Sequence, residues 1–261
     1  MAIRFEKDGM ICSITIDNEE SLNALDLDDL RALAEAWLRF RDDDGLLVAI
    51  VTGAGNKSFC AGANLKSLIP ALTAAAAGGG SPDLELLHQA FIKKMDLWKP
   101  VIAAVNGYCF AGGVELLEAT DIRVASEKAV FALPEPKWGL FPAGGSTIRL
   151  PRQIPYVWAM EILLTGGRIS AGQAYAIGLL NRVVPPDEVL PEARKIAHAI
   201  CENGPLAVKA VKESTLRCLS VSEEEAYRIE DEMFRKVFSS EDAREGPRAF
   251  AEKRRPVFTG R

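Results

Sequence analysis

Two glutamates and two small-residue turns are the groups here whose types and spacing suit chemistry. Glu115 follows the turn Ala111-Gly112-Gly113, and Glu135 comes 20 residues later between Pro134 and Pro136. An apolar run from Val101 to Val105 precedes the turn, Val114 to Leu117 follow it, and a second run from Asp121 to Ala125 leads towards Glu135. A strand, a small-residue turn and a helix start aim unpartnered backbone N–H groups outward, where the helix dipole is positive. If the fold brings Glu115 and Glu135 face to face, they form an acid/base pair beside an anion-stabilising turn. Taken alone, Glu115 reads first as an exposed first-turn glutamate favoured by the dipole. Its neighbours Val114, Leu116 and Leu117 argue instead for a buried helix. Glu118 lies one helical turn on and can share the same face.

The elements that must position these groups are legible in outline. Ala2–Phe5 and Met10–Ile16 flank Asp8-Gly9, a hairpin signal. Asn23–Phe40 carries Leu27, Leu30, Leu33, Ala34 and Trp37 at helical spacing, with Asp26 or Asp28 near its start. Leu46–Thr52 is a buried strand. After it comes GAGNKSFCAGANLKS, in which Ala61-Gly62-Ala63 precedes a helix start at Asn64, so strand, small-residue turn and helix occur twice. Thr73–Pro82, TAAAAGGGSP, has no periodic face and reads as a mobile surface loop. Leu84–Leu97 is helical, WGLFPAGGSTIRLPRQIP is a connector with a helix over Gly144–Leu150, and Pro155–Leu164 is a helix. Ser170 and Gln173 form a capping box for a helix ending at Gly178. Leu180–Val184 is a strand. Helices follow over Asp187–Cys201, Pro205–Cys218, Ser222–Val237 (a second box, Ser222 with Glu225) and Ser240–Arg254. This is an α/β core, residues 1–200, with a helical C-terminal region, 201–261, too large for one core to absorb and suited to packing on a neighbouring subunit.

Composition narrows the partners. The chain has 261 residues, 48% hydrophobic and 26% charged, with net charge −5. That balance disfavours nucleic acid as the main partner. No run of apolar residues is long enough to span a membrane, and MAIRFEKDGMICSITID interleaves charge in a way no signal peptide does. Five scattered cysteines without a CxxC pair read as reduced thiols in a cytoplasmic protein. No His/Cys cluster has metal spacing, and His88 and His198 lie in helices away from the turns, so neither a metal site nor a histidine triad is expected. An ion-pair or capping role is expected of Asp121 and Arg123.

Four segments taken together, FCAGANL (Phe59–Leu65), NGYCFAGGVEL (Asn106–Leu116), PEPKWGLFPAGG (Pro134–Gly145) and EGPRAFAEKR (Glu245–Arg254), resemble the crotonase (enoyl-CoA hydratase/isomerase) family, hydratase branch. The resemblance runs from Phe5 to Phe258 and implies a crotonase-type ββα spiral core with a C-terminal trimerisation region, assembled as a homotrimer or dimer of trimers. It implies an acyl-CoA thioester substrate, no cofactor beyond the coenzyme A that the substrate carries, and hydration of a trans-2-enoyl-CoA in fatty-acid or related acyl-CoA degradation. By the same resemblance Glu115 is the base acting on water and Glu135 supplies the proton to C2. The backbone N–H groups of Ala63 and Gly112 form the oxyanion hole. Leu22 and Ala61, with Phe250 and Lys253 in the last helix, contact coenzyme A. Three positions depart from the pattern. Glu19-Glu20-Ser21 stands where a basic residue often meets a phosphate, which shifts that contact to a residue such as Lys57. Asn64 replaces an aspartate, and Ala111 a glycine. A Δ3,Δ2-enoyl-CoA isomerase, another crotonase-fold hydrolase or decarboxylase, and a non-enzymatic acyl-CoA-binding scaffold remain as alternatives.

Overall fold

The computed structural model describes residues 2–78 and 84–261. Its backbone is a spiral in which each turn supplies one strand to each of two sheets and then a helix. The hairpin β1 (Ile3–Asp8) and β2 (Ile11–Ile16) starts the first sheet, and α1 (Leu27–Asp42) follows. The turns are then β3 (Val48–Gly53), β4 (Ser58–Cys60) and α2 (Leu68–Ala77) with α3 (Leu84–Ala90); next β5 (Val101–Val105), β6 (Tyr108–Phe110) and α4 (Gly112–Leu117); then β7 (Ile122–Ser126), β8 (Val130–Ala132) and α5 (Ser146–Gln153). After α6 (Tyr156–Thr165) come β9 (Ile169–Ser170), α7 (Ala171–Ala176) and β10 (Arg182–Val184). The chain closes with α8 (Val189–Cys201), α9 (Pro205–Cys218), α10 (Glu223–Phe238) and α11 (Asp242–Ala251). The six-stranded sheet runs β1-β2-β3-β5-β7-β10 and the four-stranded sheet β4-β6-β8-β9. All pairs are parallel except β1–β2 and β8–β9.

The large sheet is covered on both faces, as parallel sheets require. Alternate residues of β3 and β5 divide between two cores. Val48, Ile50, Ile102 and Ala104 meet Val189, Ala193 and Ala197 of α8. Ala49, Val51, Val101 and Ala103 join Trp37, Phe40, Phe59 and Phe131 in the larger core. The expected hairpin is present, with Asp8 opposite Ile11.

Several boundaries move for local reasons. α1 starts at Leu27 rather than Asn23, because Leu22 and Asn23 are left-handed (φ 57° each). The buried Asn23 amide instead donates to the carbonyls of Ala54 and Ser58. Asp26 and Asp29 cap the helix reciprocally. The helix expected at Asn64 begins at Leu68, and Thr73–Ala77, expected as loop, is its second half; residues 79–82 of that loop lie outside the described residues. α3 ends at Ala90, well short of Leu97, since Ile92 and Lys94 have φ of 50° and 53°. β4 lies in the glycine-rich stretch before Ala61-Gly62-Ala63, and no strand is expected at β6 or β8; three residues leave no alternation to detect. Ser170–Gln173 is a full capping box. At Ser222 only half forms, because Glu225 turns to Arg228 instead of capping back. The last helix stops at Ala251, leaving Lys253 beyond it at φ 54°.

Candidate active site

α4 begins where β6 ends, and its start is crowded. Ala111 sits at φ 51°, ψ −122°, a strained conformation for a residue with a Cβ. Its Cβ presses on the first glycine turn: a Cβ added to Gly62, itself at φ 89°, would lie 2.6 Å from it and 3.0 Å from the Gly112 nitrogen. The two small-residue turns therefore touch, and only glycine fits at position 62. Ala63 pairs with Leu25 as an isolated parallel bridge through its neighbours, Gly62 O accepting from Leu25 N and Asn64 N donating to Leu25 O. Among the described residues, neither the Ala63 nor the Gly112 N–H donates to a protein acceptor, and both residues line one cavity.

That cavity, about 450 Å³, also takes in Ala61, Glu115, Glu135, Trp138, Phe141 and Gly144. Glu115 and Glu135, 20 residues apart in sequence, are thus on the same lining and are 5% and 8% exposed. Their surroundings differ. Glu115 Oε1 accepts from Gly144 N at 2.5 Å and Gly145 N at 3.0 Å, at the start of α5. Burial pushes the Glu115 carboxyl above its ordinary range, while the N–H groups of Gly144, Ser146 and Gly145 and the charge on Lys93 pull it back. Glu135 opens a short 3₁₀ turn, Glu135–Trp138, after β8. Its Oε2 is buried with no partner. Burial, with Glu115's charge adding, pushes its carboxyl up to about 7. Burial thus raises both carboxyls, but Glu115 is held by the Gly144 and Gly145 amides, which pull against the rise, whereas Glu135 Oε2 has no protein partner.

Sequence reading missed the parts that aim Glu115. Gly144 and Gly145 were expected only as the start of a helix, yet their amides hold the Glu115 carboxyl; the GGS at a helix start was the available signal. Lys93 Nζ donates to Ala143 O at 2.8 Å, bracing the same loop. Arg149 donates to the carbonyls of Phe91 (2.9 Å) and Ile92 (2.7 Å). It thereby fastens the turn whose Phe91 ring packs against Gly112. Glu118, the competitor on α4, is 2% exposed but does not line the cavity. Its Oε1 takes the Ser146 hydroxyl at 3.1 Å, its Oε2 has no partner, and burial pushes its carboxyl up to about 8.

The residues expected at coenzyme A are spread out. Ala61 lines the cavity and donates its N–H to Leu22 O, which also accepts from the Ser58 hydroxyl, so that carbonyl is used within the chain. Phe250 is 87% exposed on α11, Lys253 and Lys57 are exposed, and none of the three lines the cavity. Asp121 pairs with Lys212 (2.7 Å) and accepts from Val101 N. Arg123 caps the carbonyls of Glu118, Thr120 and Leu179. No described helix is long and apolar enough to cross a membrane.

Comparison with known proteins agrees with this geometry. A family model described as Enoyl-CoA hydratase/isomerase matches residues 6–261. Enoyl-CoA hydratase EchA19 of Mycobacterium tuberculosis is 44% identical over 256 residues, covering 98% of this chain and 96% of the relative. Carnitinyl-CoA dehydratase of Salmonella arizonae is also 44% identical, over 99% of this chain and 98% of its own. Crystal structures of enoyl-CoA hydratases superpose with TM-score 0.90: one from Mycobacterium tuberculosis at 40% identity, covering 100% of this chain and 99% of that one, and one from Bacillus anthracis at 34%, covering 100% of both. The two-sheet spiral, the paired turns and end-to-end similarity of this degree lead to one conclusion: the chain is an enzyme of the enoyl-CoA hydratase/isomerase family.

Proposed function

We propose that the enzyme adds water across the C2=C3 bond of trans-2-enoyl-CoA thioesters, giving 3-hydroxyacyl-CoA. The observation that carries this reading is the pair of buried carboxyls on one lining, one accepting from two backbone N–H groups and the other with an oxygen that has no protein partner, beside two N–H groups with no protein acceptor. Glu115, ionised, takes a proton from water as the oxygen bonds to C3. The electrons of the C2=C3 bond move onto the thioester oxygen, where the Ala63 and Gly112 N–H groups stabilise the enolate; one such donor is typically worth about 3 kcal/mol. Glu135, protonated, delivers its proton to C2, with both carboxyls on one face so that addition is syn. The step is redox-neutral and calls for no metal or redox cofactor. Run backwards, the same groups eliminate water, which relates the reading to both kinds of named relative. Isomerisation needs only one carboxyl shuttling a proton and leaves the second without a task.

Exposed Tyr227 and Phe250, and the stacked, exposed Phe234 and Phe238 (4.3 Å between ring centroids), support association of C-terminal helices into a trimer or dimer of trimers. In such an assembly Phe250 and Lys253 would meet the coenzyme A held by a neighbour. Separate Glu115→Gln and Glu135→Gln variants should each lose on the order of 10²–10⁴ in kcat for enoyl-CoA hydration. Full activity in either removes the mechanism.

A further inference from the structure

The cavity is much larger than a short acyl group requires. A packed water takes about 30 Å³, so 450 Å³ holds roughly fifteen water-sized groups. A four-carbon acyl group would leave most of it unfilled. One wall is α2, where Leu68, Leu72 and Ala76 line the space at i, i+4 and i+8. That face extends about 12 Å along the helix. Leu84 and Leu87 of α3 and the exposed aromatics Trp138 and Phe141 bound the rest. The wall is uncharged by construction: no Asp, Glu, Lys or Arg occurs from Ser67 to Gly78. Among the described residues, the only ionisable groups on the lining are Glu115 and Glu135.

We infer that the substrates carry long, wholly apolar and uncharged acyl groups of roughly eight carbons or more, seated along the α2 face. The inference rests on the hydration reading for where the thioester lies. Each further buried methylene is worth roughly a fourfold gain in binding, so selectivity for length accumulates along the wall. A cationic acyl group finds no carboxylate on the lining except the two that handle water. Its charge beside Glu135 would favour the ionised form and remove the proton that residue must deliver.

The test is a substrate panel with the full-length enzyme. Hydration of crotonyl-CoA, trans-2-octenoyl-CoA, trans-2-dodecenoyl-CoA and γ-trimethylammonio-crotonoyl-CoA is measured, together with calorimetric binding of butyryl-CoA and dodecanoyl-CoA. The expected kcat/KM rises at least tenfold from crotonyl to dodecenoyl, the cationic thioester is poorer than crotonyl, and dodecanoyl-CoA binds at least tenfold tighter than butyryl-CoA. Ala76→Trp, at an exposed position on the wall, should lower the dodecenoyl-to-crotonyl ratio at least tenfold. Hydration that is flat or falling with length, preference for the cationic thioester, or an unchanged ratio in Ala76→Trp overturns the inference and leaves hydration standing. Binding graded by length with no turnover of any enoyl thioester supports the acyl wall and overturns the hydration reading.

Discussion

Gly144→Ala is the perturbation whose consequence can be worked most fully from the coordinates. A Cβ at Gly144 would sit 2.5 Å from Glu115 Oε2, 2.7 Å from its Cδ and 2.9 Å from its Cβ. All three are closer than carbon atoms approach without something shifting. The near atoms belong to a buried side chain on α4, so either Glu115 swings away or the Gly144–Gly145 loop retreats. Either movement breaks the bonds at 2.5 and 3.0 Å that hold Oε1. A hydrogen bond to a charged group is worth about 1.5–3 kcal/mol. Losing one removes that much preference for the ionised form, or about one to two pKa units. Glu115 is already raised by burial, so the loss raises it further, and less of the base is ionised at neutral pH. The assay is kcat/KM for an enoyl-CoA against pH. The acid limb, which reports Glu115 losing its proton, should move up by about one to two units, and kcat should fall roughly ten- to hundredfold. A variant with the wild-type acid limb and wild-type kcat would refute the claim that the α5 amides set the state of Glu115.

Other perturbations separate the oxyanion turn from the buried acids. Gly62→Ala forces a Cβ against Ala111 at a φ of 89°; kcat for hydration should fall at least hundredfold, with about 1–3 kcal/mol lost in urea unfolding. Glu118, pushed to about 8 in the folded chain against an ordinary 4.5, binds its proton more tightly folded than unfolded. Its contribution to stability is fully present below about pH 4.5 and lost as pH rises through about 8. Tm should therefore fall across that window, and Glu118→Gln, which cannot ionise, should flatten the fall while keeping the Ser146 contact; an equally steep fall in the variant contradicts the assignment. Arg123→Met takes the Arg123 donor from the carbonyls of Thr120 and Leu179, and from that of Glu118, which keeps Gln153 Nε2. It should cost about 1–3 kcal/mol by chemical denaturation, and stability within 0.5 kcal/mol of wild type would show that those bonds contribute little.

What could be read in advance followed the kind of signal each feature leaves. The large sheet was legible because Val101–Val105 and the run before Gly53 are uninterrupted apolar stretches, the mark of strands buried on both faces. The C-terminal helices were legible from periodicity and capping; Pro205–Cys218 has the expected bounds. Glu115 and Glu135 stood out by their place beside glycine and proline turns. The Gly144-Gly145-Ser146 cradle did not, because it acts through backbone N–H groups that no residue type announces. It meets Glu115 only from 29 positions further along the chain. α3 failed at Ile92 and Lys94 for a different reason. An apolar stripe extends through Met95, but the Arg149 bonds to the Phe91 and Ile92 carbonyls select a turn over another helical turn. The four-stranded sheet was invisible because its strands are two or three residues long.

The division of labour between the two carboxyls is tested most directly by titrating them. Carbon-13 NMR of glutamate carboxyls, recorded from pH 4 to 9 on wild type, Glu115→Gln and Glu135→Gln, assigns each resonance by its disappearance. The predicted result is a midpoint of about 7 for Glu135, with Glu115, raised by burial but held by the Gly144 and Gly145 amides, giving up its proton before Glu135 does. A Glu135 carboxyl fully ionised at pH 5, or a Glu115 carboxyl that keeps its proton above Glu135's midpoint, would contradict it.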